Sequence, residues 1–405
     1  MLNNKWMRAA VPALLIHCSI GTVYCWSSFS AALSEQIGVS SGVLGWAFSL
    51  AIFFLGMSAA FAGKLVERNI HRSSLVAALF FTAGMFGTGL CIVFSDALGT
   101  TLTTLGIFFF YGCVMGIGLG VGYLTPVKTL MLWFSENKGL ATGISIMGFG
   151  LAKAIASPIM NTLQNTIGLA NMFFILGAVY FVMMMAGHFL LKKPDDWVEP
   201  QDKDDFRMLS MLKNRNFLCI WLMFYINITC GLALISFEKP ILQIVGLGTG
   251  AISMVQSCTA AANALGRIGF STISDKCKDR NTIYIIIFAM SLVVSIAAVF
   301  GSAISGGLAG LTIVLLLLIN AGYGGGFSTL PALLGSRFGM KRISQIHGLA
   351  LSAWAFAGLT GNQLSNFLYG KTSRYETVLV ALCVLYAVAL LLSRFGVKKE
   401  SEILE

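Results

Sequence analysis

The sequence predicts an all-α membrane protein, with twelve transmembrane helices arranged as two pseudo-symmetric six-helix halves. Three observations lead there. The 405-residue chain is 57% hydrophobic and only 11% charged, with a mean hydropathy of +0.81, whereas a soluble domain carries roughly 25% charged residues. Its apolar runs resolve into twelve stretches, each near the ~20 residues that a bilayer-crossing helix needs. Its lysines and arginines gather in alternate connecting segments, as they do in polytopic proteins.

The helices follow in order. The first apolar run starts near Ala9. It continues past the length of a signal-peptide core without a small-residue cleavage site, so it reads as a first spanning helix, 9–33. Further spans are expected at 42–63, 74–94, 102–133, 139–162 and 168–191. The stretch from Lys192 to Arg215, with six basic and six acidic residues, is the one long charged segment. It divides the chain into an N-terminal half (1–191), a cytoplasmic central loop (192–215) and a C-terminal half (216–405). Six more spans follow, at 216–237, 247–272, 282–301, 307–335, 345–369 and 374–394. With both termini in the cytoplasm, the cytoplasmic segments hold 21 Lys/Arg and the external loops three, Lys239, Lys371 and Arg374. That asymmetry orients the chain in a bacterial-type inner membrane. It also accounts for the net charge of +10 without a nucleic-acid partner.

Two internal repeats support the two halves. The fourth helix carries Gly118-Leu-Gly-Val-Gly-Tyr123-Leu-Thr-Pro126, and the tenth carries Gly322-Tyr-Gly-Gly-Gly-Phe327-Ser-Thr-Leu-Pro331. Glycine- and proline-interrupted helices in matching positions are how transporters place a site at mid-membrane, and glycine also lets helices pack closely. Both readings of these ladders are open at this stage. The second repeat is a short acid–base loop. Gly63-Lys-Leu-Val-Glu67-Arg68-Asn-Ile-His-Arg72 follows the second helix, and Ser271-Thr-Ile-Ser-Asp275-Lys276 follows the eighth.

Arg267 is the most informative single residue. It lies in Asn263-Ala-Leu-Gly-Arg267, inside a spanning segment that contains no acidic residue near it. An arginine near the bilayer centre costs at least about 2.5–3.5 kcal/mol and usually marks a substrate path. Its guanidinium stays charged and matches a carboxylate bidentately, which points to an anionic substrate. The other reading is a cation snorkelling to the surface, but Arg267 stands eight residues before Asp275, about 12 Å along a helix. Asn263 shares its face at i, i+4, and Gly266 and Ala260 flank that face with small residues that leave room for a ligand. Lys153 lies mid-way along the fifth helix and is read either as a site cation or as a lysine reaching a polar neighbour or the outer surface. Lys128, nearer a helix end, reads as snorkelling. Among the seventeen Asp/Glu only Glu238 approaches a helix interior, so a positive cavity is expected. Tyr24, Trp26, Tyr123, Tyr323, Phe327 and Trp354 sit at mid-depth. Packing explains any one of them, and the tyrosine hydroxyls need partners when buried. His17 and His347 read as satisfied core or end-of-helix histidines.

These residues together resemble the oxalate:formate antiporter family, a branch of the major facilitator superfamily close to the monocarboxylate carriers. The likeness rests on Gly21-Thr-Val-Tyr24-Cys-Trp26-Ser, Gly118 to Tyr123, Trp133-Phe134-Ser-Glu-Asn-Lys138-Gly-Leu-Ala-Thr-Gly, Gly266-Arg267 with Ser274-Asp275-Lys276, and Phe327-Ser-Thr-Leu-Pro331. The acid–base loops resemble the signature loop of that superfamily, the first copy having Glu67 for Asp and Ile70 where Gly is usual. The resemblance implies that Arg267 binds the substrate carboxylate and that Tyr24 and Tyr123 line the cavity. It also implies a departure: oxalate-transporting members carry a lysine in the eleventh helix, and alignment through His347-Gly348 puts Trp354 there.

The function expected is therefore secondary transport of small organic anions by alternating access, the halves rocking around a central site. Monocarboxylates such as lactate, pyruvate or formate come first, because Trp354 supplies an indole in place of a second cation. Oxalate/formate exchange stays open, since Lys153 is available as a replacement charge. Substrate-binding candidates are Arg267, Asn263, Tyr24, Tyr123, Tyr323, Phe327, Trp354 and Lys153. A co-transported proton or a counter-anion are the coupling partners left open, and a monomer is expected. A proton-linked drug or sugar carrier would need a membrane acid, and an anion sensor would need a signalling domain. The nine cysteines show no metal-ligand spacing and no nucleophile–base constellation is visible, so neither a cofactor nor an enzyme is expected.

Overall fold

A computed structural model describes residues 4–197, 208–301 and 308–398; residues 198–207 of the central loop lie outside the described residues. The described residues contain twelve long helices and no β-strand. They are α1 (Trp6–Ile37), α2 (Ser41–Arg68), α3 (Ile70–Val93), α4 (Ser95–Trp133), α5 (Lys138–Ile167), α6 (Leu169–Leu190), α7 (Arg215–Ile244), α8 (Thr249–Lys276), α9 (Asn281–Gly301), α10 (Leu308–Phe338), α11 (Ile343–Thr372) and α12 (Tyr375–Gly396). Ten are long and apolar enough to cross a membrane. Phe189, Phe300 and Phe395 stand exposed on their outer faces, as lipid-facing side chains do. The two outside that group, α8 and α11, are diluted by polar side chains such as Gln256, Asn263 and Arg267 on one and Gln345, His347 and Gln363 on the other. They are two of the helices to which the sequence assigns binding residues.

Local chemistry sets the ends and the breaks. Ser40, Asn69 and Asn214 cap α2, α3 and α7, their side-chain oxygens accepting from the backbone N–H groups of Val43, Arg72 and Phe217 at 3.4, 2.9 and 3.0 Å. Helix α1 tightens into a 3-10 turn at Gly21–Cys25, a local irregularity that often marks a functional region. Gly99 interrupts the start of α4 with φ of +71°, a conformation that glycine adopts without strain. The continuous part of α4 thus begins close to the predicted residue 102.

The chain divides into two compact units. The first is drawn from Met1–Ser135, Ile144–Asp204 and Lys341–Ala355, the second from Glu136–Gly143, Asp205–Met340 and Phe356–Glu405. In the first, α2 packs along α4 and α3 along α6. In the second, α8 packs along α10 and α9 along α12. Glycines permit the close approach of α4 to its neighbours and of α8 to α10. A β-carbon at Gly120 would strike the Leu55 carbonyl of α2, and one at Gly118 would strike the backbone of Phe81 in α3. In the second unit, a β-carbon at Gly266 would strike the Ala321 carbonyl of α10, and one at Gly324 the Asn263 carbonyl of α8. The space beside Gly266, expected to be left for a ligand, is filled by α10.

The acid–base loops also acquire a physical role. In the first unit, the Glu67 carboxylate accepts from the backbone N–H of Ser344 at 2.7 Å, at the start of α11, and pairs with Lys128. In the second, the Asp275 carboxylate accepts from the N–H groups of Gly139 and Leu140, each at 2.8 Å, at the start of α5. Arg280 donates to the same carboxylate at 2.6 Å. Each acid satisfies donors at the positive end of a helix dipole. Lys128 is therefore buried in an ion pair within the first unit, which corrects its reading as a snorkelling cation.

Candidate functional site

The second unit gathers four of the predicted residues. Arg267 is 2% exposed, and its carbonyl accepts from Ser271 Oγ at 2.5 Å and Ser328 Oγ at 2.6 Å. Its Nε donates to Asn263 Oδ1 at 2.9 Å, which fixes the plane of the guanidinium. The cation lies 5.6 Å from the centroid of the Phe327 ring, within range of a favourable cation–π contact. Phe327 in turn packs against Tyr323 and Phe224, centroids 5.1 Å apart in both cases. Gly324 makes this possible, because its missing side chain leaves room for the Arg267 stem, whose Cγ would lie only 3.0 Å from an added β-carbon. Arg267, Asn263, Phe327 and Tyr323 thus form one cluster on α8 and α10. Asn263 acts on the arginine rather than standing beside it. Four residues before Asn263, Thr259 donates to Glu238 Oε1 at 2.6 Å, and Glu238 is buried on α7.

The first unit gathers three more. Tyr123 on α4 is fully buried. His17 stacks on it at 5.3 Å and 25°, and Trp354 meets it edge-on at 5.7 Å. Phe149 on α5 joins the group, 5.3 Å from Tyr24, 5.8 Å from Tyr123 and 5.8 Å from Trp354. The sequence reading missed Phe149. Its signal was the spacing of four to Lys153, which puts it on the same face as a residue already singled out. The His17 ring nitrogens lie 2.5 Å from the Ser145 carbonyl and 3.2 Å from the Tyr123 carbonyl, the satisfied core histidine that was expected. His347 is buried 6.0 Å from Tyr123, and its Nε2 has no hydrogen-bond partner. Trp26 packs among Phe29, Phe48 and Tyr111, which makes it a core aromatic. Lys153 is exposed, one helical turn from Phe149.

Comparison with known proteins places this architecture. The model of the Major Facilitator Superfamily matches residues 13–362. The chain belongs to the major facilitator superfamily. It is accordingly a multi-pass membrane protein and a secondary transporter, not an enzyme. It is 25% identical to the uncharacterized MFS-type transporter YhjX of Escherichia coli (strain K12), over 86% of this chain and 84% of that one. It is 22% identical to the oxalate:formate antiporter of Oxalobacter formigenes, over 96% and 91%, in line with the family that its motifs resemble. Among solved structures, the proton:xylose symporter XylE matches with a TM-score of 0.75 at 13% identity, over 96% of this chain and 95% of that one. A likeness at that identity concerns the fold.

Proposed function

We propose that this transporter carries small organic anions, monocarboxylates of the lactate, pyruvate or formate type first, by alternating access. Its two working halves would be 1–191 and 216–405, joined by the central loop 192–215, with both termini cytoplasmic. The observation that carries the reading is Arg267: a guanidinium buried in helix α8, its plane fixed by Asn263 and backed by Phe327. Keeping a permanent charge there costs several kcal/mol, and a planar fork of N–H donors is the side chain best matched to a carboxylate. In this reading Arg267 anchors the carboxylate and Tyr323 and Phe327 flank it, while Tyr24, Tyr123 and Trp354 are the substrate-contacting aromatics of the first unit. Trp354 is 1% exposed within its cluster. It gives an apolar or hydroxylated substrate end a surface to pack on, where a second carboxylate would need its own cation.

Two alternatives keep a specific support. The oxalate:formate antiporter covers nearly the whole chain, which keeps oxalate/formate exchange in view. The buried Glu238, hydrogen-bonded by Thr259, keeps proton-linked transport in view. One experiment separates them: uptake into proteoliposomes of labelled lactate, pyruvate, formate and oxalate, with and without a pH gradient and with and without internal anion. Uptake of a monocarboxylate in preference to oxalate is expected. Uptake of none of the four would end the anion-carrier reading.

A further inference from the structure

Lys153 is the one predicted site residue that joins neither cluster, and its helix shows a pattern that neither cluster uses. Lys153, Ser157 and Asn161 recur at i, i+4 and i+8 along α5, and Gln164 falls on the same face. Lys153 and Asn161 are exposed and Ser157 is half-buried. The row is tied to α1: Ser28 Oγ donates to Ser157 Oγ at 3.0 Å, Gln164 Nε2 donates to the Ser28 carbonyl at 2.9 Å, and Gln164 Nε2 also reaches Asn161 Oδ1 at 3.0 Å. The opposite side of the same helix exposes Ile155 and Ile159. Helix α5 therefore has two exposed faces of opposite character. Hydrocarbon suits the isoleucines, but an exposed ammonium with a row of amides and hydroxyls requires water. One turn inward from Lys153 lies Phe149, in contact with Tyr24, Tyr123 and Trp354. The row thus runs from Gln164, near the Ile167 end of α5, fifteen residues or about 22 Å along the helix to Phe149 and the aromatic cluster.

We propose that Lys153, Ser157, Asn161 and Gln164 form a water-lined docking stripe for carboxylates on the way to the aromatic cluster. Lys153 is its attracting charge and a first stopping point rather than the final anchor. The inference rests on the anion-carrier reading for its ligand, and on the two faces of α5 for its place. A cation lining an aqueous path raises the local concentration of anions, and does so less as salt increases. Its loss should therefore slow capture more than turnover.

The test uses the full chain in lipid nanodiscs, where both membrane faces are open to reagent. Asn161→Cys and Ile159→Cys are treated with membrane-impermeant methanethiosulfonates, one anionic and one cationic, with labelling of the native cysteines subtracted. The Cys at 161 should react, several-fold faster with the anionic reagent at low salt. Lys153→Gln in that background should remove the preference, and the Cys at 159 should stay unmodified. Equal rates for the two reagents, or a preference that survives Lys153→Gln, would overturn the stripe. In proteoliposomes, Lys153→Gln alone should raise the KM for pyruvate several-fold at low salt while kcat stays within about twofold. A kcat that falls with KM unchanged would likewise overturn the docking role. Reagent preference in a chain that transports no carboxylate would keep the stripe and remove the substrate class, so the two failures are distinguishable.

Discussion

At the scale of the residue, Arg267 and Trp354 carry the sharpest expectations. Arg267→Lys keeps the charge but replaces a planar fork held by Asn263 with a single rotating ammonium. Uptake should fall by about tenfold or more at equal membrane abundance. Near-normal initial rates for the Lys variant would remove the arginine from its anchoring role. Trp354→Lys supplies the eleventh-helix cation that the resemblance to the oxalate:formate antiporter family implies for oxalate transport. In competition against labelled pyruvate, unlabelled oxalate should gain strength relative to unlabelled lactate in that variant. If oxalate already competes as well as every monocarboxylate in the unaltered chain, the selectivity argument from Trp354 fails even though the anion-carrier reading stands. The arginine and its partner were legible in the sequence because charge inside an apolar run is conspicuous and i, i+4 spacing fixes a shared face. Phe149 was legible only through its spacing of four to Lys153, a weak mark among the thirty phenylalanines of the chain until its neighbours from α1, α4 and α11 are known.

At the scale of the element, glycines and acids set where helices meet and begin. Gly324→Ala would press a methyl group against the Asn263 carbonyl and the Arg267 stem. Overpacking of this kind costs about 1–3 kcal/mol, and here it would also tilt the side chain that orients the guanidinium. A lowered unfolding temperature with a loss of uptake larger than in Gly310→Ala, where an added β-carbon meets nothing, is the expected result. Asp275→Asn retains an acceptor but loses the charge that holds the Gly139 and Leu140 amides and the Arg280 guanidinium. A charge at a helix start is worth about 0.3–1 kcal/mol, and up to about 2 when partly buried, so the variant should melt a few degrees lower in detergent. An unchanged melting curve would mean that these bonds add nothing to stability. The repeats themselves were visible in the sequence. What they do was not: the ladders were equally readable as packing or as cavity lining. The tertiary partners of Gly118, Gly120, Gly266 and Gly324 decide for packing at those positions.

At the scale of the whole molecule, twelve helices and a membrane setting follow from hydropathy and charge distribution alone, and superfamily membership bears out the fold. The ion pair of Lys128 with Glu67 was hidden because the partners are 61 positions apart in the chain, beyond the reach of any local pattern. The low apolar content of α8 and α11 has a consequence for biogenesis. A segment emerging from the ribosome is admitted to the bilayer largely on its own hydrophobicity, and an arginine at mid-span weighs about 2.5–3.5 kcal/mol against admission. Helix α8 should therefore be a poor stop for the insertion machinery when it is the last segment made. It should be retained only once α10, which packs along it, is available to cover Arg267. Chains truncated just after Lys276 and carrying a C-terminal glycosylation acceptor should show mixed topology in microsomes, whereas chains extended through Phe338 should not. Arg267→Leu should make the shorter chain insert uniformly, and uniform insertion of the unaltered short chain would show that the segment needs no partner.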